Sequence, residues 1–251
     1  RSYSVTGVQT CALPICNSQT GNILFNNFGN IGINTATPSS KLHLANATLT
    51  VDSPTTPTLA DSIAAGNAYN VYVAGKYAYV AADTSGLLIY DISNASDVVY
   101  LGGYNTIGAA YDVVVSGRYA YVADNFAGVQ IIDVSNPASP TLLTTIDPGQ
   151  STGVYISGRY LYSVGGGSFD IIDVSNPASP TVIGSETTST TPYKVTVSGR
   201  YAYVADGVDG LRIIDIGNPT NPVHVGVSDT TEAFDVAVQS RYAYVADGTA
   251  G

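Results

Sequence analysis

One motif returns five times along the chain: GKYAYVAAD at 75–83, GRYAYVAD at 117–124, GRYLYSVG at 158–165, GRYAYVAD at 199–206 and SRYAYVAD at 240–247. Its first tyrosine falls at Tyr77, Tyr119, Tyr160, Tyr201 and Tyr242, in steps of 42, 41, 41 and 41 residues. A second block follows four of the five copies: LLIYDISNASD from Leu87, VQIIDVSNPASP from Val129, FDIIDVSNPASP from Phe169 and LRIIDIGNPTNP from Leu211. A unit this short cannot bury a core alone, so its copies must stack and share one.

Within a unit the apolar residues come as short Val, Ile and Tyr runs between turn residues, and no 3.6-residue period appears. In the second unit the runs predict strand a at 111–115, strand b at 119–123, strand c at 129–134 and strand d at 141–146. Ser116-Gly117 reads as a tight a–b hairpin turn, and 124–128 as a slightly longer, glycine-closed b–c hairpin. The c–d link SNPASP carries two prolines, which cannot donate to a ladder and so must lie between strands. Four antiparallel strands in about 41 residues match one blade of a β-propeller. The expected fold is all-β: a propeller of four-stranded antiparallel blades, with four complete units and a partial fifth.

These motifs resemble a known family. L-x-I-x-D on strand c, preceded by GRYAYVAD and followed by SNPxSP, is similar to the LVIVD-repeat propellers, and the matching residues are Ile89 and Asp91, Ile131 and Asp133, Ile171 and Asp173, and Ile213 and Asp215. The resemblance implies architecture without fixing an activity. Upstream, GNILFNNFGNIGINTATPSSKLHL at 21–44 resembles a motif of phage tail-fibre and bacterial surface-fibre proteins, with Asn34 in place of a usual glycine. That resemblance implies short strands in a stalk, a homotrimer formed through the segment, and a propeller head displayed outside the cell. Residues 5–15, VTGVQTCALPI, resemble the in-frame translation of a sequencing-library adapter, so 1–16 are expected to be an artefact of assembly. The expected organisation is therefore 1–16 artefact, 17–45 fibre-like stalk and 46–251 propeller, cut short at its C-terminus. PTLADSI at 57–63 copies strand d and LTVD at 49–52 a degenerate strand c. Either these strands complete the last blade and close a five-bladed ring, or the chain is an open arc with exposed edges.

Charge and composition exclude several function classes. The formal charge is −10, with nine scattered basic residues, so nucleic acid is not an expected partner. No apolar run approaches the roughly 18–20 residues that cross a bilayer, and no membrane insertion is expected. Both cysteines, Cys11 and Cys16, fall in the adapter-like segment, which removes disulfides, zinc sites and thiol nucleophiles from the rest. Only His43 and His224 are histidines, and only Glu186 and Glu232 are glutamates. No catalytic constellation is legible. Loops such as DNFAG and DGVDG offer calcium too few carboxylates, so neither metal nor cofactor is expected.

The repeated charges have a structural reading. With Asp133 placed opposite Ala120, it lies diagonal to Arg118 on one sheet face. Lys76–Asp91, Arg118–Asp133, Arg159–Asp173 and Arg200–Asp215 are then expected ion pairs that hold blades together. The functional alternative, a ring of cations binding an anion, is opposed by the adjacent aspartates.

Positions that differ between copied units are the ones free to serve a ligand. At the start of strand a the pairs are Tyr69-Asn70, Tyr111-Asp112, Thr152-Gly153, Tyr193-Lys194 and Phe234-Asp235. Antiparallel order puts them at the same end as the b–c loops, around a central channel. Tyr69, Asn70, Tyr111, Asp112, Tyr193, Lys194, Phe234 and Asp235 are thus the candidate ligand-binding face, suited to a glycan or a protein. The opposing reading has the aromatics packing between blades. The expected function is a non-enzymatic binding or adhesion module at a bacterial or phage surface. The alternative is a propeller-type polysaccharide hydrolase or lyase.

Overall fold

A computed structural model describes residues 31–33, 42–44, 61–188 and 192–248. The chain divides into two compact units, Arg1–Thr58 and Leu59–Gly251. In the first, β1 (Ile31–Ile33) pairs in parallel with β2 (Leu42–Leu44), inside the stretch read as fibre-like. The adapter-like residues 1–16 and the strand expected at 49–52 lie outside the described residues. Of the strand d copy at 57–63, only 61–63 are described, and they belong to no strand.

The second unit is a series of sheets laid down in chain order. Blade 1 holds β3 (Asn70–Ala74), β4 (Tyr77–Ala81), β5 (Leu87–Asp91) and β6 (Val99–Tyr104). Blade 2 holds β7 (Asp112–Ser116), β8 (Tyr119–Ala123), β9 (Val129–Asp133) and β10 (Thr141–Ile146). Blade 3 holds β11 (Gly153–Ser157), β12 (Tyr160–Gly165), β13 (Ser168–Asp173) and β14 (Thr181–Thr187). Blade 4 holds β15 (Lys194–Ser198), β16 (Tyr201–Ala205), β17 (Leu211–Asp215) and β18 (Val223–Ser228). A last sheet pairs β19 (Ala233–Gln239) with β20 (Tyr242–Asp247). Neighbours in each sheet are consecutive in sequence, and no helix occurs among the described residues. The all-β, four-stranded architecture is as the repeat predicts, and among the described residues the sheets do not close into a ring.

The turns follow from local chemistry, with one shift from the expected register. Ser116 pairs with Tyr119, so the two-residue a–b turn is Gly117-Arg118 rather than Ser116-Gly117. Gly117 takes φ 60°, the positive value that the first position of such a turn demands, and in the fifth unit Ser240 adopts 57° there. At the far end of strand c, Asp133 accepts the Ser135 N–H at 2.9 Å and Asn136 accepts the Ala138 N–H at 3.3 Å. These two side-chain-closed turns fold SNPASP back into strand d.

The core lies between blades, because alternate residues of each strand face opposite neighbours. Tyr79, Ala81, Leu87 and Ile89 of blade 1 pack on Val113, Val115, Ala120, Val122 and Ile132 of blade 2. Tyr121, Ala123, Val129 and Ile131 of blade 2 then pack on Val154, Leu161 and Ile172 of blade 3. Ile131, Ile132, Leu161 and Ile171 are fully buried, each contributing about 1.5–3 kcal/mol. Backbone clamps reinforce the junctions. Asn125 and Ser151 exchange two N–H···O bonds of 2.9 Å, and Asp83 with Ala110 and Gly207 with Ala233 do the same. Pro192 occupies the corresponding place in blade 4 and has no N–H to give. There Thr152 instead donates its hydroxyl to the Pro192 carbonyl at 2.6 Å.

Candidate functional site

Each strand a begins at the end of its blade that also carries the b–c loop, and the first strands of successive blades lie side by side. Their opening residues therefore converge. A cavity of about 610 Å³ is lined by Tyr69, Asn70, Tyr111, Gln150, Thr152, Gly166, Pro192, Tyr193, Lys194, Phe234 and Asp235. Seven of the eight candidate-face residues are on that wall. The aromatic ones form two pairs across blade boundaries: Tyr69 and Tyr111 edge to face at 4.6 Å, and Tyr193 and Phe234 tilted at 5.0 Å. They pack between blades and also face the cavity, with Tyr69 56% and Phe234 42% exposed. Burial, with Tyr69 beside it, raises the Tyr111 phenol above its ordinary pKa, so its hydroxyl stays a donor.

Asp112 is the exception. Expected on the binding face, it is buried behind it, and its reason is a partner two blades away. The Lys194 ammonium reaches Asp112 at 2.6 Å, while Asp112 also accepts the Val113 and Val154 N–H groups at 2.9 Å each. Burial pushes the Asp112 carboxyl up, against the pull of Lys194 and the two amides. The strut crosses blade 3 at Gly153, where a Cβ would stand 2.5 Å from the Tyr193 carbonyl oxygen and 3.1 Å from Lys194 Cα. Any side chain at 153 would force blades 3 and 4 apart.

Sequence reasoning also missed Gln150 and Pro192 as lining residues. Gln150 donates to the Asn125 side chain at 2.6 Å, which fixes its amide at the rim. The signal for the strut was present, since Asp112, Gly153 and Lys194 share one repeat position, as acid, gap and base. Asp124, the carboxylate of the DNFAG loop, is buried at the end of strand b. It accepts from Thr106 Oγ1 at 2.5 Å and Gly108 N–H at 2.8 Å, tying down the segment that enters its own blade.

The repeated charges sit at the opposite end. Lys76 meets Asp91 at 3.2 Å, and Arg118, Arg159 and Arg200 hydrogen-bond Asp133, Asp173 and Asp215. Two points differ from expectation. Asp133 pairs across the ladder with Tyr119, not Ala120, and each ion pair lies within one blade, joining its a–b turn to the end of strand c. The guanidinium contact holds the Asp133 and Asp173 carboxyls well below the usual range, and Asp215 likewise. The basic side chains are 57–62% exposed, so solvent screens the pairs and they contribute little between blades. Each cation also lies over the tyrosine that follows it, 5.1–5.6 Å from the ring centre.

Elsewhere, exposed His224 on β18 contacts the Gly226 carbonyl, and His43 lies in β1's partner strand β2. Among the described residues no three metal-ligating side chains converge.

Comparison with known proteins places this geometry. No curated protein matches the chain. Among solved structures, the computationally designed Ika8 protein aligns over 72% of this chain and 55% of its own at 8% identity, TM-score 0.56. The β-propeller domain of Cps50 (Swd1) from Myceliophteria thermophila aligns over 62% of this chain and 55% of its own at 15% identity, TM-score 0.50. The chain thus spans about half the length of either structure, and the likeness is one of fold. The LVIVD repeat model matches residues 65–106, 107–147, 148–188, 193–230 and 232–251 in succession. With its blades, its strand c aspartates and most of its length accounted for by that repeat, the chain belongs to the LVIVD-repeat family.

Proposed function

We propose that this chain is a non-catalytic recognition module that takes a glycan or a protein loop into the cavity at the start of its inner strands. One observation carries the reading. Three pairs of residues that vary between otherwise copied units, Tyr69-Asn70, Tyr193-Lys194 and Phe234-Asp235, open onto the same 610 Å³ space together with Tyr111 and Thr152. A surface made of copies offers a partner only a repeating pattern, whereas this wall offers different groups at equivalent places. Tyrosine supplies broad contact area at low entropic cost and a hydroxyl to satisfy a polar partner. An acidic, lysine-poor chain with a fibre-like upstream motif supports display outside the cell, at a bacterial or phage surface.

A glycan and protein array screened with the whole chain identifies the ligand class. Tyr111→Ala and Tyr193→Ala should then weaken binding about tenfold or more while circular dichroism stays unchanged. Full affinity in both variants would move the site off this wall.

A further inference from the structure

The charges around the cavity do not balance. The second position of the inner strands carries Asn70, Asp112, Gly153, Lys194 and Asp235, three of them charged. Lys194 and Asp112 neutralise each other at 2.6 Å, with Asp112 almost wholly buried. Asp235 remains. It is exposed, its Oδ1 accepts the Val236 N–H at 2.7 Å, and no basic side chain pairs with it among the described residues. Asp235 repeats the backbone contact that Asp112 makes with Val113, so its carboxylate is held in place and not merely tethered. It lines the cavity together with Phe234, whose ring leans on Tyr193.

The site's uncompensated charge is therefore negative and set among aromatic faces. Both features draw a cation, the carboxylate by Coulomb attraction and the rings through their quadrupoles. Resting on the recognition reading above, we infer that the ligand is a saccharide carrying free, protonated amino groups, with one ammonium placed between Asp235 and the Phe234–Tyr193 pair. The exposed Tyr69 and Phe234 rings suit the C–H face of a sugar ring, and the Asn70 and Gln150 amides can meet its hydroxyls. Uronates and sulfated sugars would face repulsion from Asp235.

The test is calorimetric titration of the whole chain at mildly acidic pH with three probes: a β-1,4-glucosamine oligomer, its fully N-acetylated counterpart, and a lysine-containing peptide of equal charge. The glucosamine oligomer should bind about tenfold or more tighter than the N-acetylated one, since acetylation removes a charge-assisted contact. Asp235→Asn should abolish that preference, and added salt should reduce it. Equal or tighter binding of the N-acetylated oligomer, tightest binding of the peptide, or no binding of any probe overturns the inference. If the N-acetylated form binds as tightly as the glucosamine oligomer or tighter, and Tyr111→Ala weakens it, the recognition reading stands while the amine requirement falls. Asp235→Val, which lacks any hydrogen-bonding oxygen, should match Asp235→Asn in losing the preference, so that charge and not local backbone support is what is measured.

Discussion

Residue by residue, the units reuse one chemical solution and depart from it where a neighbour changes. The Asp at the end of strand c closes the loop behind it and meets the basic residue of the a–b turn, Lys in blade 1 and Arg in blades 2 to 4, and this repeats because both partners lie in the same blade. Asp112 and Lys194 break the pattern, since their contact spans three blades. Removing one partner of a buried pair leaves the other without compensation. Lys194→Met should cost about 3 kcal/mol in urea unfolding, more than any single exposed repeat pair. In the Lys194→Met background, Asp112→Asn should recover part of that loss, because the amide carries no buried charge and its one oxygen still accepts from either Val113 or Val154, which bond different oxygens of the carboxylate. A double variant no more stable than Lys194→Met alone would show that shape, not charge, governs the position.

The copied c–d loops are explained at the level of elements. Their prolines and asparagines do more than reverse the chain, because the loop of one blade rests on strand d of the blade before it. A Cβ on Gly184 of β14 would stand 2.2 Å from the Pro219 carbonyl oxygen, and one on Gly102 of β6 would stand 2.7 Å from that of Ala138. Gly226 holds the same place on β18 but meets nothing nearer than Ile213 Cδ1 at 4.0 Å. Gly184→Ala should therefore destabilise by roughly 1–3 kcal/mol through blade separation. Gly226→Ala should be neutral, or gain up to about 1 kcal/mol from lost unfolded-state freedom. Denaturation midpoints of the two variants give the comparison, and equal losses would place the effect in strand d itself rather than in the contact between blades.

Across the whole molecule, stability is a sum over blades and the junctions between them, as in other stacked repeats. Blades 2 and 3 are each covered on both faces, whereas among the described residues β19 and β20 pack on blade 4 alone, and Tyr242 and Tyr244 are 54% and 58% exposed. The interior counterparts of Tyr244, Tyr79 and Tyr121, are 4% and 2% exposed. Amide exchange should thus be slowest on β8 and β12 and fastest on β19 and β20, at rates that differ by orders of magnitude. Uniform protection along the unit would mean that the blades unfold as one cooperative body.

The sequence by itself determined the blades. The 41-residue period, the two-residue glycine turn and the prolines of SNPASP each act over a few residues, so strands β7 to β10 could be placed within a residue of where they lie. The candidate face was legible for the same reason, since antiparallel order alone sends every strand a start to one end of its blade. What only the tertiary structure decided is how neighbours meet. The Asp133 partner on strand b is Tyr119 because the b–c hairpin closes Ala123 onto Val129, one residue from the register that paired Asp133 with Ala120. Asp112 left the binding face for a lysine 82 positions away in sequence, through a gap that exists only because Gly153 stands between them. Local periodicity fixes each sheet, but burial and charge pairing between sheets depend on distances across the channel, which repeat spacing does not encode.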